Sequence, residues 1–64
     1  MKINALKMLV LMGKQEMNIG QLAKSSGVSR QTVSCVKSGK GCTPVVACKL
    51  AKALGVDVTE ILEQ

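Results

Sequence analysis

Apolar and polar positions along this chain recur at helical rather than strand spacing. They fall in short segments divided by Gly13, Gly20, Gly27, Gly39, Gly41, Pro44 and Gly55. The first segment covers residues 2–14. Asn4, Lys7 and Lys14 lie on one side, and Ile3, Leu6, Leu9, Val10 and Met12 largely on the other, which predicts the buried stripe; Met8 and Leu11 fall outside that split. The second opens at Asn18, a good N-cap, and reaches Ser25 or Ser26, with Ile19, Leu22 and Ala23 inward. Gly27 ends it, because glycine enters the left-handed region without a Cβ penalty. The third, residues 29–38, begins on Ser29 as N-cap. It turns Val33 and Val36 inward and Arg30, Gln31, Thr32, Ser34 and Lys37 outward. Thr43-Pro44 starts the fourth, since proline suits the first helical position, and Val46, Leu50, Ala51 and Leu54 form its stripe. A fifth, from about Asp57 or Thr59 to Glu63, carries Val58, Ile61 and Leu62, which either close the core or form a dimer seam. No useful length alternates with period two, so the expected fold class is all-α, with five short helices.

Composition narrows the picture. Sixty-four residues suffice for one small domain, taken as residues 1–64, and no Phe, Tyr, Trp or His is present. The core is therefore aliphatic, and Met8, Met12 and Met17 belong to it more naturally than to a sensing stripe. Nine basic side chains against four acidic ones give a net charge of +5, which calls for an anionic partner. Apart from Glu16, the acids gather at Asp57, Glu60 and Glu63. Cys35, Cys42 and Cys48 match no zinc spacing and read as reduced thiols of a cytoplasmic protein. The apolar run at residues 8–12 is too short for a bilayer and reads as a buried helix.

The informative stretch is residues 18–39. Two short helices meet at Gly27-Val28-Ser29, small Ala23 permits close approach, and Leu22, Val28, Val33 and Val36 fill the wedge. A helix-turn-helix requires those features. The second helix then offers a polar, basic row, and an α-helix fits the major groove of B-DNA. Arg30 and Gln31 stand in its first turn. Arginine can grip guanine and glutamine can grip adenine, each such pair discriminating by about 1–3 kcal/mol.

Leu22-Ala23, residues 27–34, Gly39-Lys40, Pro44, residues 50–56 and Ile61-Leu62 together resemble the Cro and lambda-repressor-like helix-turn-helix proteins, the Xre family. The resemblance covers about residues 17–62. It implies a five-helix lambda-repressor-like domain. It also implies that Ser29, Arg30, Gln31 and Thr32 touch bases and adjacent phosphates, that position 35, here Cys35, faces the groove, and that Asn18 and Lys40 meet phosphate; Ser34, on the outward row, and Lys37, left without the usual partner, complete the set of candidate DNA-binding residues. Three departures stand out. Ile19 replaces the usual glutamine clamp. Lys37 stands where many members carry glutamate, opposite an arginine whose place falls on Met12. Cys42 and Thr43 occupy a loop that is often more basic.

The resulting expectation is a sequence-specific regulator of transcription, most simply a repressor, with double-stranded DNA as partner. A homodimer through helix 5 or helix 1 is compatible with it. No cofactor, metal, small-molecule ligand or membrane is expected, and no enzymatic activity, because histidine, paired carboxylates in the motif and a phosphate loop are all missing. Two alternatives share the pattern: an antitoxin repressing its own promoter, and a protein-interaction module without a DNA role.

Overall fold

The computed structural model describes residues 1–63. Four α-helices, α1 (Ala5–Lys14), α2 (Ile19–Ser26), α3 (Arg30–Lys37) and α4 (Pro44–Leu54), precede a 3-10 turn at Val58–Glu60. The expected fifth helix is thus a single 3-10 turn. Three residues of helical backbone satisfy too few hydrogen bonds to propagate. The described chain measures 25 × 21 × 18 Å.

Each helix starts where the sequence places a cap. Asn4, Asn18, Ser29 and Thr43 accept from backbone N–H groups three residues on. At the second helix the arrangement is reciprocal: Asn18 Oδ1 accepts from Gln21 N at 2.8 Å, and Gln21 Oε1 accepts from Asn18 N at 2.8 Å. Such a pair satisfies two donors that the helix start leaves free. Gly27 and Gly55 end α2 and α4 in the left-handed region, at φ 74° and 75°.

The first segment departs from the expectation. Residues before Ala5 are extended, and Ile3 pairs with Leu62 in an antiparallel bridge. Asn4 N donates to the Ile61 carbonyl, Glu63 N to that of Lys2, and Cys42 N to that of Met1. The N-terminal residues are therefore clamped between the C-terminal segment and the loop after α3. Within α1 the buried residues are Met8 and Met12, with Leu11 half-buried, while Leu6, Leu9 and Val10 are exposed. The buried stripe is rotated from the one predicted, because a helix that is apolar nearly all round carries little information about which side is covered.

The rest of the core follows the pattern. Leu22, Val33, Val36, Leu50, Leu54 and Ile61 are buried, and among the described residues no charged or polar one is. Val46, expected in the stripe of α4, is half-buried, and Ala47 takes the inner position. α2 packs against both α3 and α4, α1 against α3, and α4 against the 3-10 turn. Gln15 Nε2 donates to the Leu54 carbonyl at 2.7 Å, satisfying a carbonyl that the end of α4 leaves free. Ile61 closes the core, so it is not available to a dimer seam; Val58 and Leu62 are half-buried.

Candidate nucleic-acid interface

The turn between α2 and α3 is built from local chemistry. Gly27 takes φ 74°, and its N–H bonds the Ala23 carbonyl at 2.9 Å. Ser26 Oγ donates to the same carbonyl and accepts from Val28 N, both at 3.3 Å. Val28 is buried beneath the turn, and the small, buried Ala23 lets α2 and α3 cross closely. Val33 and Val36 hold α3 from below. Eight residues of this composition would not stay helical alone, so tertiary packing supplies the rigidity.

That packing leaves Arg30, Gln31, Ser34, Lys37 and Ser38 exposed. At 3.6 residues per turn these five share about a third of the helix circumference. Cys35 lies just beyond one edge of that arc, whereas Thr32 lies farther round toward the buried valines; both are half-buried. Ser29 and Thr32 engage each other: Ser29 Oγ donates to Thr32 Oγ1 at 2.8 Å and accepts from Thr32 N at 3.2 Å. The Ser29 hydroxyl is thereby committed to the cap, whereas the Thr32 hydroxyl proton stays free to donate outward. Of the eight residues singled out from sequence, Arg30, Gln31, Ser34 and Lys37 form one continuous face, Ser29 and Thr32 form a hydroxyl pair at its start, and Asn18 and Lys40 lie off the helix.

Lys40 is held at the end of α3 by a C-terminal cap. Gly39 N bonds the Val36 carbonyl at 3.0 Å and Lys40 N bonds that of Cys35 at 3.1 Å, with Gly39 at φ 94°. This is the Schellman arrangement. It carries the exposed Lys40 ammonium on a fixed backbone just past Lys37.

At the other end, the Arg30 side chain lies against the first turn of α2. A Cβ placed on Gly20 would meet Asn18 Oδ1 at 3.4 Å, Arg30 Nε at 3.7 Å and Arg30 Cζ at 3.9 Å. With the Oδ1 of Asn18 and the Oε1 of Gln21 both accepting, each side chain keeps its NH₂ group as free donor. Sequence reasoning passed over Gln21. Its signal was legible, since an Asn N-cap followed three residues later by Gln is the pattern of a capping box. Ile19, which replaces the expected glutamine clamp, is half-buried against the core instead.

The electrostatics are one-sided. The first turns of α2, α3 and α4 hold no acidic residue. Lys24 and Lys37 stand in the last turns of α2 and α3. Lys37 is exposed and Met12 buried, so the ion pair common at those two positions is replaced by a free cation and an apolar contact. Cys35 and Cys42 are half-buried free thiols and Cys48 an exposed one. No helix of the described residues is long and apolar enough to cross a membrane.

A family model for the Cro/C1-type HTH DNA-binding domain matches residues 7–64. No curated protein matches the chain. Among solved structures, the whole chain superimposes on part of a mutant of hydroxyethylphosphonate dioxygenase with a TM-score of 0.88 at 22% identity. It does so equally on native PhpD with cadmium atoms, at 0.87 and 22%. In both cases the chain spans 14% of the similar protein, and at that identity the likeness shows the fold alone.

Proposed function

The chain belongs to the Cro/C1-type helix-turn-helix DNA-binding domains, and from that membership we propose that it reads a specific double-stranded site with α3 and represses transcription by occupying it. The observation that carries this reading is the exposed face of Arg30, Gln31, Ser34 and Lys37 on a packed helix without acidic neighbours in its first turn. Gln31, in the first turn, is the principal base reader, suited to the N6 and N7 of adenine. Arg30 reaches either a guanine edge or the phosphate facing α2. Asn18, Gln21, Lys37 and Lys40 position the backbone, which fixes register but carries no sequence information. Two copies on an inverted repeat would set their reading helices about 34 Å apart. The role is binding rather than catalysis, in keeping with a chain that has no histidine.

The test is Gln31→Ala against a duplex selected from a random pool. Affinity for the selected site should fall by about 1–3 kcal/mol while affinity for random DNA holds. Equal loss on both would remove Gln31 from the base-reading role. The alternative reading is a protein-interaction module without a DNA role. Binding that does not respond to salt would support that alternative.

A further inference from the structure

The loop that carries Lys40 is held from both sides, and only one of them is local. On the α3 side, Lys40 N donates to the Cys35 carbonyl at 3.1 Å. On the other side, Cys42 N donates to the Met1 carbonyl at 2.8 Å. The two segments run close together, since a Cβ placed on Gly41 would meet that same carbonyl oxygen at 3.5 Å. The sequence Gly39-Lys40-Gly41 does not favour order by itself, because glycine loses more conformational freedom on folding than any other residue. The extended strap before α1 supplies the restraint, and that strap is anchored elsewhere. Ile3 is 2% exposed and bridges Leu62. Asn4 N donates to the Ile61 carbonyl at 2.7 Å, and Glu63 N to the Lys2 carbonyl at 3.0 Å. Asn4 also caps α1, accepting from Lys7 N at 3.1 Å, so the strap continues directly into a helix. We infer that this strap, through Ile3 and the Met1 carbonyl, is a positioning element for the DNA-contacting loop, fixing in advance where Lys40 meets phosphate.

The effect on affinity rests on the DNA reading above; the coupling of strap to loop does not. A loop that is loose in the free protein must be ordered on the duplex, and that ordering opposes binding. Releasing the strap should therefore weaken DNA affinity about three- to ten-fold. The loss should fall alike on selected and random duplexes, because phosphate contacts carry no sequence information. The salt slope should hold, since the ammonium still reaches phosphate once the loop is ordered. Removing the ammonium itself lowers that slope, so the two effects separate positioning from contact.

The experiment uses a full-length synthetic chain in which an ester replaces the Gly41–Cys42 peptide bond. This deletes the Cys42 N–H and alters no side chain. Ile3→Ala is the second variant and releases the strap from its other anchor; each is studied below its own melting transition. In both, the NMR order parameter of the Gly41 amide should fall from about 0.85 to below about 0.6. Affinity should drop about three- to ten-fold at unchanged salt slope. In a Lys40→Ala background, neither change should cost further affinity, because the two act through one contact. A Gly41 amide as ordered as in the parent would overturn the proposal. So would an affinity loss as large without Lys40 as with it, which is the signature of a merely structural role. A parent chain that binds no duplex would refute the DNA reading and the affinity effect with it, while the Gly41 order parameter would still decide whether the strap holds the loop.

Discussion

Replacing Gly27 with alanine adds one methyl group where no other atom lies within 4 Å of the new Cβ. Its effect therefore comes from backbone conformation and not from collision. At φ 74° an L-residue sits in the left-handed region, which costs roughly 1–2 kcal/mol through the contact between Cβ and the carbonyl oxygen. Alanine also restricts the unfolded chain and returns about 0.4–1 kcal/mol. The net loss is about 1 kcal/mol, or roughly 4–8 °C in Tm for a domain of this size. Gly13 supplies the matched control. Its added Cβ would also meet nothing, but it lies in α1 with ordinary helical backbone, so Gly13→Ala should raise stability by about 0.5–1 kcal/mol. Both variants can be read by urea and thermal melts followed at 222 nm. A chemically synthesised chain with D-alanine at position 27 should be at least as stable as the parent, since the mirror residue adopts this φ without strain. Shifts of the same sign at the two glycines, or a D-alanine chain as weak as the L-alanine one, would refute the conformational account of the turn.

Three further outcomes follow from the same structure. Lys40→Ala should reduce DNA affinity to a similar degree on all sequences and lower the slope of log affinity against log salt by about 1, measured by fluorescence anisotropy; an unchanged slope would exclude Lys40 from phosphate contact. Ser29→Ala removes the cap of α3 and should cost about 1 kcal/mol in a urea melt; a loss below about 0.3 kcal/mol would show that the Ser29 hydroxyl contributes little to the helix start. The Thr59 hydroxyl donates to the Asp57 carboxylate, and this bond, with the nearby Thr59 and Val58 backbone N–H groups, holds its carboxyl below the ordinary aspartate range against an opposing effect of desolvation. A depressed folded-state pKa means stability that is present above the unfolded value and lost as pH falls through the folded one. Thr59→Val should accordingly raise the Asp57 midpoint in an NMR titration, and an unmoved midpoint would contradict that assignment.

The sequence was most readable where single residues carry a fixed local job. Asn18, Ser29 and Thr43 as caps, and Gly27 and Gly55 as terminators, located three of the four helices to within a residue or two. The valines of α3 identified its buried side, and so its exposed one, because polar and apolar residues separate cleanly there. α1 lacks that separation. Its covered side is chosen by what packs on it, and the clamping of Ile3 by Leu62 depends on a partner nearly sixty residues away. Local periodicity cannot report such a contact. The last segment failed for a related reason: Val58, Ile61 and Leu62 have helical spacing, but Ile61 is drawn into the core and only a 3-10 turn remains. Among the site residues, Arg30, Gln31, Thr32, Ser34 and Lys37 were expected to face outward, and all are exposed except Thr32, which is half-buried. The mutual bonding of Ser29 with Thr32, and the resting of Arg30 against Gly20, belong to side-chain geometry that no spacing encodes.

The claim that α3 and its flanking cations form a DNA-reading surface is tested most directly by the salt dependence of binding to a selected duplex. Lys24, Arg30, Lys37 and Lys40 are exposed on the two motif helices and the loop that follows. Engagement of all four with phosphate predicts a slope of log affinity against log salt near about −3 to −4 per bound chain. A slope close to zero over about 50–300 mM salt, with affinity retained, would contradict the account.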